Sequence, residues 1–147
     1  MIQIDNKQQL QNFKVNTKVK LAALWTSVTF CYLYGDYFEL YVPQKVAGLI
    51  SGNNLLNSPL KLLLAAMLLA IPPVMVFLSV LLKPKFNRIL NIITGTFFTI
   101  IMILIGISSL ESWRGFYVFY ALLESVITVI IVWTSFKWPF NIKSNEL

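Results

Sequence analysis

The sequence predicts an all-α integral membrane protein, a four-helix bundle with both termini cytoplasmic, and three observations carry that expectation. Hydrophobic residues fill 57% of the 147 positions and charged residues only 12%, with a mean hydropathy of +0.71. A soluble domain of this length is far more polar. Long apolar runs recur, each close to the roughly 20 helical residues that cross a hydrocarbon core. Lysine and arginine concentrate in alternate loops, as the positive-inside rule requires.

Residues 1–20 are polar, with Lys7, Lys14, Lys18 and Lys20 against Asp5, and are expected to form a cytoplasmic lead-in. The domain proper spans residues 21–138. Its first span, about 21–42, is too long for the apolar core of a signal peptide and lacks a small-residue cleavage site, so it should be retained. The second span, about 60–82, begins where Asn57-Ser58-Pro59 offers an N-cap followed by proline at the first helical position. Within it, Pro72-Pro73 removes two amide donors, should leave the carbonyls of Leu68 and Leu69 unpaired, and should kink the helix.

The third span, about 89–110, follows a Lys83-Pro84-Lys85-Phe86-Asn87-Arg88 turn. The fourth, about 114–136, is interrupted only by Glu124. The few residues between these two spans make them antiparallel neighbours. Only Pro43 to Asn57 has loop length to spare, and its Val46-Ala47-Gly48-Leu49-Ile50 core should form a half-buried helical turn on the membrane surface, stopped by Gly52-Asn53-Asn54. Residues 139–147 form a cytoplasmic tail.

Nine of the twelve basic residues fall in the amino-terminal segment, the 83–88 turn and the tail, against Lys45, Lys61 and Arg114 on the other side. Both termini are therefore placed inside, and Trp25, Trp113, Trp133 and Trp138 are placed in interfacial belts. The net charge of +6 reflects this topology. Ten of the twelve basic residues are scattered lysines, which is no nucleic-acid patch. With no histidine and a single Cys31, histidine-metal sites and dithiol chemistry are excluded, and with no phosphate-binding loop nucleotide-driven work is not expected. No catalytic residue, metal or cofactor is expected.

The candidate site follows from the cost of ionisable groups in a bilayer. Trp25, Thr29, Tyr32, Asp36 and Glu39 recur at steps of three and four, on one stripe of the first span. Arg114, Tyr117, Ala121, Glu124 and Thr128 do the same on the last span, with Tyr120 one turn from Glu124. Glu124 lies roughly 15 Å from Arg114, near mid-membrane. Lipid cannot solvate these stripes, so they should face each other in the outer half, where Glu111 joins them. Four acids there outnumber Arg114, because Lys45 and Lys61 are expected to snorkel outward. Either burial keeps carboxyls neutral or a cation completes the balance. Arg114 should orient Asp36 or Glu124, or else simply pair with Asp36 or Glu39 to fix helix register. Cys31 is expected only to pack.

Leu24-Trp25 followed by Tyr32-Leu33-Tyr34-x-Asp36 resembles the opening span of an uncharacterised family of small bacterial four-span membrane proteins, known only as a domain of unknown function. The similarity runs over about residues 20–138. The topology is more loosely similar to DoxX-like proteins. The resemblance implies a bacterial inner membrane and carries no activity with it.

The function expected from the residues is non-enzymatic: an outward-facing acidic, tyrosine-rich cavity binding a small cationic or amphipathic ligand, or a proton. Asp36 and Glu124 would carry charge, with Tyr32, Tyr117 and Tyr120 as lining. Two alternatives belong to other classes. One is a membrane enzyme using paired carboxylates on a lipid or isoprenoid substrate. The other is an accessory subunit docking a second copy or a larger membrane complex, for which Ala66-x-x-x-Ala70 is a weak packing signal.

Overall fold

A computed structural model describes residues 13–139. Among them, the chain forms α1 (Thr17–Glu39), α2 (Lys45–Ser51), α3 (Pro59–Leu81), α4 (Pro84–Ser108), a 3-10 turn (Ser112–Arg114) and α5 (Gly115–Phe136), with no strand. Residues 1–12 of the expected lead-in and residues 140–147 of the tail lie outside the described residues.

Local chemistry sets the helix ends. Asn16 caps α1 by accepting from the Lys18 amide at 2.9 Å, so the helix starts within the stretch expected to be lead-in. Ser58 caps α3 and Pro59 takes its first position. Pro84 opens α4, so the expected 83–88 turn is instead the first turn of a helix: proline fixes φ and lacks only an amide that would be unpaired there anyway. The segment expected to be external does contain a helix, α2, which ends at Gly52 with φ of 76°, a backbone conformation suited to glycine. Helix α3 continues through Pro72 and Pro73.

Helix α1 is central, packing along both α3 and α5, while α4 packs most extensively along α5 and meets α3 only narrowly. The shared core joins Leu21, Trp25 and Val28 of α1, Met75 of α3, Phe98 and Met102 of α4, and Ile131 of α5. Gly95 lets α4 approach α5 closely, for a Cβ there would lie 2.8 Å from Val132 Cγ2. Three segments, Pro59–Leu81, Pro84–Ser108 and Ser112–Phe136, are long and apolar enough to cross a membrane. Their outer faces carry exposed leucine, isoleucine, valine and phenylalanine, a surface that suits acyl chains and not water. Helix α1 is as long as α3 but more polar.

A polar cluster fastens the end where α1 begins. Trp25 Nε1 donates to Asn91 Oδ1 at 2.7 Å, and Asn91 Nδ2 donates to Asn87 Oδ1 at 2.6 Å. Asn87 in turn donates to the Ser79 carbonyl, and Lys18 Nζ to the Val80 carbonyl at 2.9 Å. Trp25, Ser79, Asn87 and Asn91 are fully buried. The expected belt position of Trp25 is thus corrected: its indole lies inside, because its N–H finds an acceptor on α4. Trp113 and Trp133 are exposed, as belt residues would be.

Candidate functional site

At the opposite end, the polar stripes of α1 and α5 converge. A cavity of about 160 Å³ opens between α1, α3, α4 and α5. Its wall includes Tyr32 and Asp36 from α1, Tyr117, Tyr120 and Glu124 from α5, and Phe98 and Met102 from α4. Leu68 and Leu69, one turn before the proline pair of α3, complete the apolar side.

The acids separate into two kinds. Glu39 forms an ion pair with Lys45 and accepts from the Tyr117 hydroxyl at 2.5 Å. Glu111 is exposed and lies 3.7 Å from Arg114 Nε. Asp36 sits at the cavity mouth, exposed, within 3.3 Å of the Tyr117 hydroxyl. Glu124 is only 3% exposed, and among the described residues its carboxyl has neither a hydrogen-bond donor nor an ion-pair partner. Tyr32 Oη is likewise buried without a hydrogen-bond partner.

Five of the eight ligand residues expected from sequence, Tyr32, Asp36, Tyr117, Tyr120 and Glu124, therefore line one cavity. Glu39, Arg114 and Glu111 do not. The expected pairing of Arg114 with Asp36 or Glu39 is corrected: Arg114 follows Glu111 by three residues in a 3-10 turn and pairs locally, while Lys45, expected to snorkel away, is carried back to Glu39 by the turn before α2. Sequence reasoning missed Gly35, Phe98 and Met102 and treated Cys31 as packing alone; Cys31 also borders the cavity. Gly35 is one helical turn from both Cys31 and Glu39, so the stripe's spacing could have found it. Phe98 carries no such signal, since an apolar residue in an apolar span is silent.

The described residues include no group of three or more metal-ligating acidic, cysteine or histidine side chains. What the arrangement offers is two carboxyl groups, Asp36 and Glu124, in a wall of aromatic rings.

Among the described residues these features define an all-helical protein with three helices long and apolar enough to cross a membrane. Over residues 9–145 the chain matches the model of a family described as a family of unknown function, DUF6326, and it belongs to that family. No curated protein and no solved structure matches it. The expectation of an uncharacterised family holds.

Proposed function

We propose that the protein is a four-helix bundle crossing a bacterial inner membrane four times, with α1 as the fourth span and both termini cytoplasmic. Its outer-half cavity binds a small cationic or amphipathic ligand. The burial pattern of α1 supports its place as a span despite its modest hydropathy, because Trp25, Tyr32 and Gly35 turn toward other helices while Phe30 and Leu33 face outward. The distribution of nine basic residues against three supports the orientation.

One observation carries the binding reading. Glu124 is an ionisable side chain near mid-membrane, almost wholly enclosed, and among the described residues no side chain is hydrogen-bonded or ion-paired to its carboxyl. Buried polar groups are normally satisfied, and an intramembrane carboxyl without a partner marks a site. Cation binding to the purified protein should weaken at least tenfold in Glu124→Gln, and Asp36→Asn should lower it less. Unchanged binding in both folded variants would exclude this function.

A further inference from the structure

We propose that Glu124 takes a proton and a compact organic ammonium ion in turn, so that each cation entering the cavity expels a proton. This rests on the cavity being a cation site and specifies both the ligand class and what its binding is coupled to.

Size comes first. The cavity of about 160 Å³ is close to the roughly 150 Å³ apolar cavities known to accept benzene. A body of one ring or a short branched chain fits; a large lipophilic cation does not. The rings of Tyr32, Phe98, Tyr117 and Tyr120 come from three helices and offer faces and edges to such a body. The Tyr32 hydroxyl oxygen, buried and without a partner, can accept an ammonium N–H.

Charge balance supplies the coupling. The titratable groups that share the cavity with Glu124 are Cys31, Tyr32 and Asp36 on α1 and Tyr117 and Tyr120 on its own helix; α3 and α4 present only apolar side chains. None of these groups is cationic. Lys45 is engaged by Glu39 and Arg114 lies against Glu111. The Glu124 carboxyl can therefore be neutralised in two ways, by a proton on its oxygen or by a cation beside it, and one excludes the other. In the exchange, the carboxylic O–H bond breaks and its electron pair stays on oxygen. The proton leaves to water at the mouth beside Asp36, and the ammonium N–H groups hydrogen-bond to the carboxylate.

The test is calorimetric titration of the full-length protein in uncharged detergent micelles with benzylammonium, benzyl alcohol and tetraphenylphosphonium, in two buffers of different ionisation enthalpy. Benzylammonium should bind with release of about one proton per cation at low pH, and its affinity should rise about tenfold per pH unit there. Benzyl alcohol should release none. Glu124→Gln should lose proton release, whereas Asp36→Asn should keep it, with thermal unfolding reporting that both variants fold. Benzylammonium binding without proton release overturns the exchange and leaves the cation site standing. Binding of tetraphenylphosphonium in preference overturns the ligand class. Loss of proton release in Asp36→Asn alone moves the proton to Asp36 and overturns the assignment. If neither cation binds, the binding function itself fails.

Discussion

Replacing Gly95 by alanine should loosen the contact between α4 and α5, and the size of the effect follows from the space around it. The added Cβ would meet Val132 Cγ2 at 2.8 Å and Ile131 Cγ2 at 3.4 Å, with the Thr128 carbonyl oxygen at 3.5 Å. Carbon atoms prefer roughly 3.5–4.0 Å, so Val132 or the α5 backbone must yield. Overpacking of this kind costs about 1–3 kcal/mol. Alanine returns about 1 kcal/mol of helix propensity, leaving a net loss of about 0–2 kcal/mol. Gly35→Ala is the internal control, because its Cβ would sit 4.0 Å from Tyr117 Cε1 and Tyr120 Cδ2, an ordinary contact. That variant should gain about 0.5–1 kcal/mol from propensity alone. The pair therefore differs by the packing cost, about 1–3 kcal/mol. Denaturation in mixed micelles, followed by fluorescence of the buried Trp25, measures the difference. Equal stability of the two variants would refute the close approach of α4 and α5.

Three further outcomes are expected. Glu124→Leu should be at least as stable as the parent, by up to about 3 kcal/mol, because it replaces a carboxyl held in a mostly apolar cavity wall by an apolar side chain, and it should bind no cation; a destabilised protein in the same denaturation assay would mean that Glu124 serves structure. A double-mutant cycle on Trp25→Phe and Asn91→Leu should give a coupling of about 0.6–1.7 kcal/mol, the range for hydrogen bonds between helices in membranes, and additive losses would remove the Trp25 to Asn91 bond from the stability of the fold. In a Cys31→Ser background, a membrane-impermeant thiol reagent should label Ser51→Cys in intact cells and Lys85→Cys only after permeabilisation; the reverse pattern would invert the proposed topology.

The site was only partly legible in the sequence, for reasons that individual residues make plain. Asp36 and Glu124 announce themselves because a carboxyl in an apolar run is expensive wherever the helix is placed. Tyr32, Tyr117 and Tyr120 follow from their register on the same stripes. Phe98 and Met102 do not, since nothing local distinguishes a residue facing the cavity from one facing lipid. Lys45 was misjudged because a flexible cation in a loop reads as solvated until the backbone turn delivers it to Glu39. Trp25 was misjudged because an indole near a span end suits the interface equally well, and its acceptor is 66 residues away.

What the sequence determined by itself is therefore whatever depends on the chain and its solvent: helical secondary structure, apolar segments of membrane-crossing length, the Ser58 cap with Pro59 at the first helical position, and the unfavourable charge at Glu124. Each is a local balance between backbone hydrogen bonding, transfer free energy and position along one helix. Tertiary structure decided which polar groups meet. That Glu39 finds Lys45, Trp25 finds Asn91 and Glu124 finds no partner among the described residues depends on how α1, α3, α4 and α5 rotate against one another, set by close packing at places such as Gly95. No single segment contains that information, because a helix in an apolar solvent has no intrinsic preference for which apolar face it buries.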